Sequence, residues 1–197
     1  ISTRIKFWKD HVTVHDPALF FTTTFRDLLK RRGVSVDGKV SRAERKRRTR
    51  PPEGTLLLRH LSPLRRDLPV INARSQNLHA EVLLKALGAK VFGEGSVSAG
   101  AAAVRRFLQQ LHIPQIGLKI ADGSGLSHAN RVTALTLAEV LKISMRKPYF
   151  EIYKNSFAQI SVEGTLQKRF RAFPHLKGKV FAKTGYISGV SSLSGYL

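Results

Sequence analysis

Apolar residues recur along this chain with two periods, and the periods divide it into elements. Over 17–32, Leu19, Phe20, Leu28 and Leu29 supply an apolar surface. Pro17 suits a first helical turn and Gly33 suits an end, so this stretch predicts a helix. Val34 to Val40 reads as extended. Gly54 to Leu61 contains Leu56-Leu57-Leu58, a short continuous apolar run that predicts a buried strand. Over 76–87, Ala80, Leu83, Leu84 and Leu87 fall at i, i+3, i+4 and i+7, which predicts a helix that Gly88 terminates. Val104, Phe107, Leu108 and Leu111 repeat the pattern over 98–111, and Pro114 stops it. A short strand at 116–121 runs into the turn Asp122-Gly123-Ser124-Gly125. Thr136 to Met145 predicts a further helix, opened by the capping box Thr136-Leu137-Ala138-Glu139. Residues 179–183 and 187–196 read as terminal strands. Helices and strands mix without strict βα alternation, which predicts an α+β fold with an antiparallel sheet.

Composition changes this picture in one respect. The 197 residues are 42% hydrophobic, ample for one packed domain or one domain and part of another. The formal net charge, however, is +21, from 34 Lys and Arg against 13 Asp and Glu. A charge of that size predicts attraction to polyanions: nucleic acid, anionic lipid or an acidic cell-wall polymer. The densest run, Arg42 to Arg50, is followed by Pro51-Pro52 and reads as a solvated loop. No stretch approaches the ~18–20 apolar residues of a membrane span. There is no cysteine, so no disulfide and no cysteine-ligated metal is expected. His11, His15, His60, His79, His112, His128 and His175 have no metal-ligand spacing. The first residue is Ile, which predicts a processed product or a piece of a longer polypeptide.

The chemistry concentrates near the C-terminal end. Lys183-Thr184-Gly185 falls between two β-prone stretches, at the end of one strand with a short turn to the next. An ammonium, a hydroxyl and a residue without a side chain on a sheet edge make a receptor for a carboxylate. Earlier, Ser75-Gln76-Asn77 stands at the entrance of the 76–87 helix. Locally, Ser75 and Asn77 also suit helix N-caps.

Four short segments occur in order: Ser75-x-Asn77, Asp122-Gly123-Ser124-Gly125-Leu126-Ser127, Glu163-Gly164-Thr165-Leu166 and Lys183-Thr184-Gly185. With Asp16-Pro17-Ala18 through Arg32-Gly33-Val34, their order and spacing resemble the D-alanyl-D-alanine carboxypeptidase/endopeptidase family, the class C low-molecular-mass penicillin-binding proteins. The resemblance covers residues 14–197. It implies the penicillin-binding protein/serine β-lactamase-like fold, an antiparallel sheet flanked by helices. Residues 1–53 would lead into the catalytic domain, with a basic loop at 42–50, and 54–197 would be its C-terminal part.

The resemblance also implies an activity. A serine nucleophile is acylated by the terminal D-Ala-D-Ala of a peptidoglycan stem peptide, and water then cleaves the acyl-enzyme. Ser75 would relay a proton to the leaving amine and Asn77 would hydrogen-bond the substrate's amide. Lys183 and Thr184 would bind its terminal carboxylate. Gly185 would keep the strand edge open, and the Tyr186 N–H would be half of an oxyanion hole. Tyr186 stands where the family usually has Thr or Ser, and Glu163 where it more often has Asp. The Asp122 turn and Ser127 would be structural.

The family's Ser-x-x-Lys nucleophile motif precedes Ser-x-Asn. Here the single match, Ser144-Met145-Arg146-Lys147, follows it and reads as helix surface. The chain therefore resembles a catalytic domain without its nucleophile, inactive alone. No cofactor or metal is implied. Stem peptides are the implied partners, with β-lactams for the full-length parent, in the periplasm or another extracytoplasmic part of the cell envelope. The charge adds an anionic wall polymer or membrane surface. A nucleic-acid-binding protein is the alternative, although the sequence offers no zinc finger, basic zipper or RNA-recognition motif.

Overall fold

The computed structural model describes residues 14–42, 59 and 61–197. The chain divides into two compact units, Ile1–Leu58 and Arg59–Leu197. In the first, helix α1 spans Pro17–Arg31. Asp16 caps it, its Oδ1 accepting from the Leu19 N–H at 2.9 Å, and Pro17 occupies the first turn, where an N–H has no intrahelical partner. Gly33 follows in the left-handed conformation, as expected of a helix end. Val34 to Val40 is not a strand. An extended segment becomes one only by pairing, and no described residue pairs with it. Most of the basic run and the strand expected around Leu56-Leu57-Leu58 lie outside the described residues.

The second unit opens with helix α2, Leu64–Asn72, which hydrophobic periodicity did not reveal because Pro69 and three charged residues interrupt the apolar pattern. Helix α3 spans Asn77–Phe92 and helix α4 Val97–Gln110. Gly88 does not terminate α3. The helix runs on to Gly93, whose φ of 74° supplies the left-handed ending. Gly88 serves packing instead: a Cβ there would stand 2.6 Å from the Gly100 backbone nitrogen of α4. Gly100 in turn lies against the Leu84 carbonyl, so two helix backbones meet through facing glycines.

Residues 116–121 contribute one isolated bridge, Lys119 to Arg131, rather than a strand. Helix α5 spans Ala134–Ser144. Its cap is Thr133, whose Oγ1 accepts from the Thr136 N–H at 3.1 Å, so Thr136 lies inside the first turn rather than before it. Helix α6, Phe150–Lys154, is too short to leave a period.

Three strands close the unit: β1 (Ala158–Gln159), β2 (Phe181–Ile187) and β3 (Val190–Tyr196), antiparallel in the order β1-β2-β3. Gly189, with φ 76°, makes the tight β2–β3 turn possible. On one side of the sheet Ala73, Ala158, Ile160, Leu166 and Ala182 form the buried core, with Phe170, Leu176 and Val180 packed against it. Near β3 the Tyr196 ring meets Phe150, Tyr153 and Phe157 edge-on, and its hydroxyl donates to the Leu141 carbonyl of α5 at 3.0 Å. The fold is thus α+β with an antiparallel sheet, and the two candidate motifs sit beside one core, on Ala73 and Ala182.

Candidate active site

Ser75 and Asn77 lie at the joint between α2 and α3. The chain turns back here: the Arg74 N–H donates to the Pro69 carbonyl at 3.2 Å and the Gln76 N–H to that of Val70 at 3.1 Å. Ser75 takes the left-handed conformation, φ 57°. For a residue with a Cβ that costs about 1–2 kcal/mol, which the surrounding contacts must offset. Those contacts come from the other end of the sequence. The Thr165 N–H donates to the Ala73 carbonyl at 3.0 Å, and a Cβ on Gly164 would stand 2.5 Å from the same oxygen.

Neither Ser75 nor Asn77 is an N-cap. That position is Gln76, which makes no side-chain capping bond, and Asn77 is the first helical residue. Its exposed amide makes no hydrogen bond with any described residue. Both side chains are therefore left for something other than closing the helix.

Lys183 comes from β2. Its Nζ donates to Ser75 Oγ at 2.7 Å and to the Thr184 carbonyl at 2.5 Å. Burial disfavours its charged form and holds its pKa below that of an exposed lysine. No described carboxylate pairs with it. With Lys183 donating to its oxygen, the Ser75 hydroxyl keeps its own proton to give, which is the geometry a proton relay needs.

Thr184 Oγ1 donates to Thr165 Oγ1 at 2.9 Å. Sequence alone does not single out Thr165. Its signal is its place in Glu163-Gly164-Thr165-Leu166, and nothing local says that it meets Thr184. Gly185 lies where a Cβ would press on the Ser192 side chain of β3. Tyr186 is 83% exposed. β1 pairs with β2 only at Phe181 and Ala182, so among the described residues the β1-side edge of β2 is open from Lys183 to Ile187. An extended peptide can add to such an edge.

The Asp122 turn braces α3. Asp122 accepts from the Gly125 and Ser127 N–H groups, each at 2.7 Å, and from Asn130 Nδ2 at 2.8 Å. The Ser124 N–H donates to Glu81 Oε1 at 3.0 Å, one helical turn beyond Asn77. A Cβ on Gly123 would stand 2.5 Å from the Ala80 carbonyl. Burial works against both carboxylates. Hydrogen bonds outweigh it, from Ser124 and Gly123 to Glu81 and from Asn130, Gly125 and Ser127 to Asp122, and hold both below the usual carboxylate range. Ser144 ends α5 with its hydroxyl on the Val140 carbonyl at 2.7 Å.

Helices around an antiparallel sheet, with a Ser-x-Asn turn meeting a Lys-Thr-Gly strand, define the penicillin-binding class of fold. The crystal structure of penicillin binding protein 4 from Haemophilus influenzae, complexed with a β-lactam, matches with a TM-score of 0.81 at 30% identity, over 93% of this chain and 42% of that one. The chain belongs to the D-Ala-D-Ala carboxypeptidase 3 (S13) family, which it matches over residues 1–197. The D-alanyl-D-alanine carboxypeptidase of Actinomadura sp. (strain R39) is 35% identical over 191 residues, 94% of this chain. The penicillin-sensitive carboxypeptidase A of Dictyostelium discoideum is 30% identical over 190 residues, again 94% of this chain. In both cases the chain spans 35% of the relative's length.

Proposed function

We propose that this chain supplies the proton-relay and carboxylate-binding parts of a serine-type D-Ala-D-Ala carboxypeptidase. One observation carries the reading: the Lys183 ammonium meets the Ser75 hydroxyl at 2.7 Å, although 108 residues separate them. Ser75, Asn77 and Lys183 are the catalytic residues of this reading. Ser75 passes a proton, exchanged with Lys183, to the departing D-alanine nitrogen, and Asn77 holds the scissile peptide's neighbouring amide. Thr184, with Thr165 behind it, and Lys183 receive the terminal carboxylate. Gly185 and the Tyr186 N–H line the open strand edge on which the peptide lies, and that N–H faces the developing oxyanion.

The nucleophile of the reaction is a serine in a Ser-x-x-Lys motif ahead of Ser75, and these 197 residues hold none in that place. In this reading residues 1–53 lead into the catalytic domain and 54–197 are its C-terminal part. The substrate is a peptidoglycan stem peptide, β-lactams are its mimics, and the site of action is the periplasm or another extracytoplasmic part of the envelope. Family membership speaks against the nucleic-acid-binding alternative, and no feature of the site favours it.

The test is labelling with fluorescent penicillin. Residues 1–197 alone stay unlabelled, whereas a polypeptide with a Ser-x-x-Lys segment ahead of them is labelled. Labelling of residues 1–197 alone would place the nucleophile inside this chain and overturn the assignment.

A further inference from the structure

All 13 carboxylate side chains of the chain precede Gly164. The loop that begins there carries Lys168, Arg169, Arg171, Lys177 and Lys179, with His175 among them, and every one of these side chains is exposed. None of these cations pairs with a described carboxylate. An arginine or lysine surface of this density repels itself, and an anionic partner relieves the repulsion.

The loop is not a loose tail. Leu166 is fully buried, and Phe170, Leu176 and Val180 pack on the same core. Backbone bonds close it at its far end, from the Gly178 N–H to the Ile160 carbonyl at 3.0 Å and from the Ile160 N–H to that of Val180 at 3.2 Å. Internal turns shape it, Phe173 N–H to the Phe170 carbonyl at 2.9 Å and Lys177 N–H to that of Pro174 at 3.1 Å. Leu166, Phe170, Leu176 and Val180 face the core and the cations are displayed outside on this frame, so binding need order only the cationic side chains.

Its position decides the partner. The near end of the loop is Thr165, whose hydroxyl accepts from Thr184 in the candidate site. A ligand tethered to whatever occupies that site meets the loop at high effective concentration, whereas a membrane or a nucleic acid gains nothing from that proximity. Resting on the function proposed above, we propose that the loop from Gly164 to Lys179 is a docking surface for the acidic stem peptides of the wall strand whose terminus the site takes. Neighbouring peptides on one strand repeat their carboxylates, and the row of cations holds the strand while one terminus enters the site.

The test titrates the full chain with soluble peptidoglycan strands that carry several stem peptides, at low and at high salt. Replacing three loop cations together (Lys168→Gln, Arg171→Gln, Lys177→Gln) weakens binding by about tenfold at low salt and has little effect at high salt. An equal loss of charge elsewhere (Lys85→Gln, Lys90→Gln, Arg106→Gln) leaves binding unchanged, and strands stripped of their peptides do not compete. The proposal is overturned if both triple variants lose affinity equally, or if peptide-free strands bind as well. Loop-dependent binding that is tighter to phosphatidylglycerol vesicles or to a single-stranded oligonucleotide than to the strands overturns it too. Strands trimmed of their terminal D-alanines keep the loop-dependent binding, because their carboxylates remain. Penicillin labelling tests the site separately, so either reading can fail alone.

Discussion

The two halves of the site are built by different means. Lys183, Thr184 and Gly185 sit in a regular strand, hydrogen-bonded to β3 in unbroken register from Phe181–Tyr196 to Ile187–Val190. Ser75 sits in a left-handed turn between two helices, a conformation its own residues disfavour. The strand half is held by its ladder. The turn half is held by contacts of the Ala73 carbonyl with Gly164 and Thr165, and α3 behind it by the Asp122 turn, all distant in sequence. Substitutions in the strand half should therefore change chemistry with little effect on folding. Those around the turn should change folding first and chemistry through it.

That contrast can be broken in order of effect. The largest belongs to Lys183→Ala in a polypeptide that carries the nucleophile, where penicillin acylation should slow by about 10²–10³-fold. The melting temperature should hardly move, because an ammonium with no described ion-pair partner adds little to stability. Unchanged acylation would mean that the 2.7 Å contact with Ser75 has no part in the reaction. Next comes Gly164→Ala, with a φ of 66° and the Ala73 carbonyl 2.5 Å from the new Cβ. Urea unfolding should lose about 2–4 kcal/mol, and labelling should fall with it, since Ala73 leads through Arg74 to Ser75. A stable Gly164→Ala protein would remove the claim that this contact holds the turn.

Ser75→Gly and Ser75→Ala make a finer test. Both remove the hydroxyl and should slow labelling alike, but the glycine variant should be the more stable by about 1 kcal/mol, because glycine adopts φ 57° freely. Equal stabilities would show that the turn carries no strain. The smallest effect concerns acid. Asp122 and Glu81 are held below the usual carboxylate range in the folded chain. Their contribution is present above the unfolded values and is lost as the pH falls through the folded ones. Melting followed toward acid should therefore show a decline that Asp122→Asn flattens, and an unaltered decline would assign it to other carboxylates.

The fold is legible in the sequence where structure is local. The period of Ala80, Leu83, Leu84 and Leu87 located α3, Val104 to Leu111 located α4, and Pro17 and Gly33 bounded α1 to within a residue. It is not legible where a neighbour overrides local preference. Gly88 ends a helix in isolation, yet here it is the gap through which α4 approaches. Thr136 opens a capping box on paper, but Thr133 holds the cap because its hydroxyl reaches the Thr136 N–H. The Lys119 segment is β-prone and finds a single bridging partner, so it stays irregular.

What the sequence determined by itself was an inventory in order: Ser75-x-Asn77, then Asp122-Gly123, then Glu163-Gly164, then Lys183-Thr184-Gly185, on a strongly cationic chain. Those are properties of residue type and spacing along one dimension. Tertiary structure alone decided that Lys183 touches Ser75, that Thr165 stands behind Thr184, and that the Ser75 backbone turns left-handed. A contact across 108 residues depends on how helices and strands pack around a shared core, and a local hydrophobic period carries no information about that distance.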